Sequence, residues 1–453
     1  MEQQKAVQEN KMGVMPVNRL LISMSLPMMI SMLVQALYNV VDSMFVAKIS
    51  EDALAAVSMA FPMQNLMIAI GSGTGVGINA MLSKCLGEKD FKGADDAAEN
   101  GIFLAVLSAL LFLLIGLFAI KPFFNVQTEI ASINEYGVTY LTICAVCSLG
   151  AFCQMTFERL LQSTGRTFYS MITQGTGAII NIIMDPILIF GLLGFPKLGV
   201  AGAAIATVLG QFVAAGLALW FNLKKNMDIH ISFRKFRPHK ATIQRIYAVG
   251  VPSIIMMSIG SVMTYGMNQI LLRFSSTATA VFGVYFKLQS FIFMPVFGLN
   301  NGLIPILAYN YGARNRERIE KTLKLAICYA VSIMAVGTFV FQTFPTQLLG
   351  LFSASPNMVS IGVVALRVVS ISFVFAGFCI SIGSVFQAFG EGIFSMFVSI
   401  GRQLVVLIPV AYLLSLSGQV NYVWWAFPIA EIASVALSVC FFIHTYRKCI
   451  KTL

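Results

Sequence analysis

Apolar residues run along the chain in long blocks separated by short polar stretches, and most of the blocks approach the roughly 20 residues that a membrane-spanning helix needs. The pattern predicts twelve helices, over 18–46, 54–80, 98–120, 136–160, 168–193, 199–222, 245–272, 278–309, 320–345, 358–386, 394–417 and 421–446. Their connections leave no room for a folded soluble domain. The first block runs through an internal Pro27 and lacks a small-residue cleavage site behind it, so it is read as helix 1 rather than as a signal peptide.

Composition agrees with the pattern. With 58% hydrophobic and only 11% charged residues over 453 positions, there is too little polar surface to cover a soluble globule. Eight Cys and three His are scattered. Cys144 and Cys147 form a C-x-x-C inside an apolar block, where a thiol behaves as a small hydrophobe. His230, His239 and His444 lie in or beside polar connections, so no metal site is expected within the membrane.

The net charge of +11 changes meaning once its position is considered. The N-terminus, the even-to-odd connections and the C-terminal tail take 24 of the 30 Lys and Arg, and the richest piece is Lys224 to Arg245. The opposite connections carry only Lys48, Lys121, Lys197 and Arg273. Such asymmetry is the positive-inside pattern. Both termini are expected in the cytoplasm of a multi-pass plasma (inner) membrane protein, and nucleic acid is not an expected partner.

Shifting the chain by 225 positions aligns Pro27 with Pro252, Phe61 with Phe286, Gln64 with Gln289, Gly77 with Gly302, Gly87 with Gly312, Gln162 with Gln387 and Gly165 with Gly390. Punctuating residues in register mark an internal repeat. Each half holds six helices, so the halves enter the membrane with the same polarity. The expected fold class is an all-α membrane protein: twelve transmembrane helices in two parallel six-helix repeats around a central cavity. The lobes are placed at 1–225 and 245–453, with a cytoplasmic basic linker at 226–244.

An ionisable residue at a helix centre costs about 2.5–3.5 kcal/mol on insertion scales and marks a functional site by default. Gln35, Tyr38 and Asp42 fall on one stripe of helix 1, with Asn39 beside them. Helix 5 carries Asn181 and Asp185, one turn apart, followed by Pro186. Asp42 and Asp185 sit at similar depth, so they are expected to form a proton or cation site. The competing reading makes Asp42 an interfacial cap and Asp185 a local polar contact. The second half speaks against it, because the repeat places Met267 and Ile408 at those positions. Three further charges remain: Arg367, expected to reach the interface, and Lys287 on helix 8 with Glu431 on helix 12, expected to pair and counted as cavity candidates.

In order along the chain, Leu26-Pro27, Leu86-Gly87, Gln162-x-x-Gly165, Asn181-x-x-x-Asp185-Pro186, Tyr311-Gly312, Gln387-x-x-Gly390 and Arg402-Gln403 resemble the multidrug and toxic compound extrusion (MATE) family of secondary transporters over essentially the full length. The resemblance implies a coupling-ion and substrate site at Gln35, Tyr38, Asp42, Asn181 and Asp185, with Thr207 as a further cavity candidate. It also implies export of small-molecule drugs and organic cations in exchange for H⁺ or Na⁺, the sodium alternative falling on Asp42, Asn181 and Asp185. Helix 7 has no acidic residue and helix 10 carries Arg367, which departs from the NorM-like branch and points to the DinF-like one. No other cofactor and no metal are expected; membrane lipid surrounds what is expected to be a monomer. A flippase for lipid-linked precursors, of the same wider superfamily, is the alternative, and it would need a cavity rich in Arg and Lys. An enzyme is not expected, since no nucleophile and base share one membrane depth.

Overall fold

The structure is a computed structural model that describes residues 9–453; residues 1–8, assigned above to the N-terminal lobe and its basic face, lie outside the described residues. Ten helices are long and apolar enough to cross a membrane, and two bent pairs bring the number to twelve. Helices 1, 2 and 3 span Val17–Ala47, Glu51–Gly87 and Phe91–Phe118; helices 5 and 6 span Thr167–Phe190 and Val200–Lys225. Helices 7, 8 and 9 span Lys240–Leu272, Ser276–Gly312 and Arg316–Thr343; helices 11 and 12 span Gly392–Ser415 and Val420–Ile450. Helix 4 is two pieces, Ala131–Val146 and Leu149–Ser163, bent by 48°; helix 10 likewise joins Pro356–Ser370 to Phe373–Ala388 at 45°. Sequence periodicity gave each of these as one helix, because the apolar pattern runs on through the bend.

The repeat extends to the helix caps. Ser50 accepts a hydrogen bond from the Ala53 amide at 3.0 Å, and Ser275, its counterpart, accepts from Ala278 at 3.1 Å. Asp90 and Asn315 cap helices 3 and 9 in the same way, through Gly93 and Arg318. Gly165 and Gly390 both turn the chain with positive φ, +87° and +82°, a conformation that costs glycine little.

The lobes meet through helix 2 on helix 7 and helix 8 on helix 1, while helices 2 and 8 cross at the face that carries most of the Lys and Arg. At this crossing a methyl on Gly87 would lie 1.9 Å from the Tyr309 carbonyl oxygen, and one on Gly312 would lie 2.2 Å from that of Lys84. The two glycines therefore let the backbones touch reciprocally. Over the same seam lies the N-terminal strap. Asn10 Nδ2 donates to the Thr164 carbonyl at 3.0 Å on one lobe, and Asn310 and Arg318 of the other lobe donate to the Met12 carbonyl at 3.1 and 3.0 Å. Burial there, with Arg166 nearby, pushes the Lys11 ammonium below its ordinary value.

Toward the other face the lobes part. Asn65 on helix 2 donates to Ser261 on helix 7 at 3.0 Å. One turn further out on the same two faces, Phe61 is 60% and Tyr265 67% exposed. The result is a cleft closed at the basic face and open at the opposite one. Valine at Gly87 or Gly312 is expected to hold the basic face apart: spin labels at Lys92 and Lys321, one on each lobe, should show a longer and broader distance. Gly216→Ala, which meets no atom within 4 Å, should leave that distance unchanged.

Candidate functional site

The open half of helix 1 leans on helix 5, where Phe45 and Phe190 meet edge to face at 6.5 Å between ring centres. This packing turns the inner stripe of helix 1 toward the buried face of helix 5. Asp42 and Asp185 face each other across the junction of helices 1 and 5. Asp185 is fully buried and Asp42 partly so, and Oδ1 of each has no partner. Asn181 is placed with its amide nitrogen toward Asp185 Oδ2 at 3.3 Å and its oxygen accepting from the Thr207 hydroxyl at 3.2 Å, the orientation that satisfies both ends. Helix 6 thus positions the amide that positions the carboxylate. Tyr38 lies beside both aspartates.

Of the candidates named from sequence, the structure gathers Tyr38, Asp42, Asn181, Asp185 and Thr207. Gln35 and Asn39 are exposed, and neither side chain makes a hydrogen bond among the described residues. Three residues of the site had not been singled out for it. Tyr140 and Cys144 on helix 4 are buried next to Asp42, and the Tyr140 hydroxyl accepts from Gln64 Nε2 at 3.2 Å. Gln64 was visible only as a repeated punctuation residue.

The same junction in the second lobe is apolar. Met267 is fully buried, and a methyl on neighbouring Gly266 would lie 2.7 Å from Ile408 Cδ1. Helix 7 therefore touches helix 11 where helix 1 touches helix 5, but hydrocarbon replaces both carboxyl groups.

The expected pairing of Lys287 with Glu431 is corrected. Glu431 accepts from Arg402 Nη1 at 3.2 Å, and Lys287 is exposed with no ion pair among the described residues. Arg402 lies within helix 11, in a π-helical stretch, Gly401–Leu407, and faces helix 12. Arg159, near the predicted end of helix 4, is buried because that helix runs on to Ser163. Its guanidinium donates to Gln162 at 3.0 Å and crosses the lobes to Asn301 Oδ1 at 3.1 Å. The adjacent Glu158 carboxylate accepts from Gln154 at 3.0 Å, Thr173 at 3.0 Å and Gln174 at 2.7 Å. Arg367 is exposed, and its Nε donates to the Gln342 carbonyl at 3.3 Å.

Two six-helix lobes around a cleft, with a carboxyl pair in only one of them, define a membrane transporter rather than an enzyme. The MatE family model matches residues 27–187 and 252–413, one block in each repeat, and the chain belongs to that family. It is 27% identical over 425 residues to the multidrug export protein MepA of Staphylococcus haemolyticus, covering 94% of this chain and 92% of that one. To MepA of Staphylococcus aureus (strain MRSA252) it is 26% identical over 440 residues, 95% of this chain and 94% of the other. Among solved structures, the outward-facing conformation of a multidrug resistance MATE family transporter of the MOP superfamily superposes with a TM-score of 0.92 at 25% identity, over 99% of this chain and all of that one.

The Arg402–Glu431 pair yields a test independent of transport. Removing one partner strands a charge in low dielectric, a cost of about 1–3 kcal/mol at this partly exposed guanidinium. Arg402→Met and Glu431→Gln should each lower the thermal stability of purified protein, and the double variant should lose less than the sum. Lys287→Met should leave the melting temperature at the native value.

Proposed function

We propose that the chain is a secondary antiporter that exports amphipathic, often cationic compounds across the plasma membrane in exchange for H⁺ or Na⁺, with the basic face and both termini in the cytoplasm. The carrying observation is the facing pair Asp42 and Asp185, present in one lobe and replaced by hydrocarbon in the other. A structural requirement common to both repeats would recur in both. The curated relatives named as multidrug export proteins support the substrate class.

Two like charges about 4 Å apart repel by on the order of 4 kcal/mol at an effective dielectric near 20. A proton or a sodium ion between the carboxyl groups removes that repulsion, and so does a cationic substrate brought into the cleft beside them. Occupancy by ion and by substrate is then mutually disfavoured, which is the requirement for exchange. The free Oδ1 atoms offer the acceptor positions, while Asn181, held by Thr207, fixes Asp185. The driving force is sufficient: each pH unit supplies about 1.4 kcal/mol per proton, and inward movement of one charge draws about 2.3 kcal/mol per 100 mV. Exchange of one proton for one monovalent cation moves no net charge, so the pH gradient alone would drive it.

A flippase for phosphate-bearing lipid precursors is disfavoured, because the carboxyl pair gives the site the wrong sign for a phosphate. The deciding experiment is efflux of a cationic dye from vesicles with an imposed pH or sodium gradient. Asp42→Asn and Asp185→Asn keep size and hydrogen bonding but lose the charge. Both should reduce gradient-driven efflux at least about tenfold, the value of roughly 1.4 kcal/mol of lost coupling, with Asp185 the more sensitive. Native rates in both well-expressed variants would contradict the reading.

A further inference from the structure

The linker between the lobes is polar and basic, and a free connection of that composition would be expected to trail in water. It does not. Its backbone is pinned along helix 3: the His230 amide donates to Asp95 Oδ1 at 2.7 Å, Ser232 to Glu99 Oε1 at 2.9 Å and His239 to Asn100 Oδ1 at 3.0 Å. Phe236 then packs on Phe103, the rings tilted with centres 5.7 Å apart, and Phe233 meets Phe236 edge to face at 5.7 Å. Helix 3 is charged up to Glu99 and apolar from Gly101 onward. The bend of the linker therefore sits at the polar-to-apolar boundary of a membrane-spanning helix, the depth of the lipid headgroups.

What the bend presents outward has two components. Arg234, Arg237 and Lys240 are exposed and make no ion pair among the described residues. Beside them Met227 is 76% and Phe233 51% exposed. Cations next to bare apolar side chains, at headgroup depth, complement an anionic surface with hydrocarbon below it. Nothing about closing the cleft requires this exposure, since the seam is sealed by the crossing of helices 2 and 8 and by the N-terminal strap.

We propose that the linker bend at 227–240 is a docking surface for anionic phospholipid headgroups of the leaflet at the basic face. The phosphates meet Arg234, Arg237 and Lys240, and Met227 and Phe233 enter the acyl boundary. Lys240 is the first residue of helix 7 and the His239 ring meets the Thr242 hydroxyl at 2.8 Å, so the surface runs from the linker pinned on helix 3 to the start of the second lobe.

Hydrogen exchange read by mass spectrometry on the full chain tests this without reference to transport. Nanodiscs of phosphatidylcholine are compared with nanodiscs containing phosphatidylglycerol. Amides of 233–237 should exchange several-fold more slowly with the anionic lipid, while the cores of helices 3 and 6 remain unchanged. The triple substitution Arg234→Gln, Arg237→Gln, Lys240→Gln should abolish the difference. Equal rates for the native chain in both bilayers would overturn the proposal, whatever the folding of the variant. So would the same slowing in neutral discs on adding inorganic phosphate, which assigns the cations to a free anion, or on adding a short RNA, which assigns them to nucleic acid.

Discussion

Two carboxyl groups facing each other inside an apolar lobe cannot be left alone, and much of the N-terminal half is organised around that fact. Water is scarce there, so each acidic oxygen needs a proton, a cation or a donor. The fold supplies donors for part of the pair. Asn181, steered by Thr207, serves Asp185; Tyr38 and Tyr140 line the space around Asp42. It leaves one oxygen of each carboxyl without a protein partner. A site built for stability alone would close those positions, as Glu158 closes its own with three donors a few turns away.

The two repeats show how such a site can be added to a scaffold without disturbing it. Caps, bends and left-handed turns recur at matched positions, so both lobes are assembled by the same local rules. Differences gather where function can vary. Gly75 leaves room for the stem of Arg159, which reaches Asn301 across the seam; the corresponding positions of the second half carry Asn300 and Ser384, which hydrogen-bond to each other. A large residue on helix 4 over a small one on helix 2 is thus exchanged for the reverse arrangement on helices 10 and 8. The reciprocal contact of Gly87 and Gly312 needs identical residues on both sides, and there the repeat is strict.

The fold was legible because lipid imposes a simple rule on sequence: length of apolar block, charge between blocks and punctuation by Gly and Pro. The pair Asp42–Asp185 was legible for the same reason, since a carboxylate in an apolar block has no ordinary explanation. Less visible was anything that depends on where a helix truly ends. Glu158 and Arg159 look like the polar margin of helix 4 until that helix is seen to continue to Ser163. Arg402 falls inside the apolar block of helix 11, but the π-helical stretch around it leaves no mark in apolar periodicity. The Lys287–Glu431 expectation failed on the same ground: equal depth was known, but rotation about the helix axis was not. Gln64, Tyr140 and Cys144 are neutral, so no cost of burial drew attention to them.

The central claim, that the carboxyl pair itself exchanges a proton for substrate, is tested most directly on purified protein by infrared difference spectroscopy on adding a cationic dye. The account predicts loss of a protonated-carboxyl C=O band on binding, absent in Asp185→Asn and retained when Glu431 is replaced by Gln. A band that persists unchanged in Asp42→Asn and Asp185→Asn, or no band in the native chain at any pH and sodium concentration that supports exchange, would contradict it.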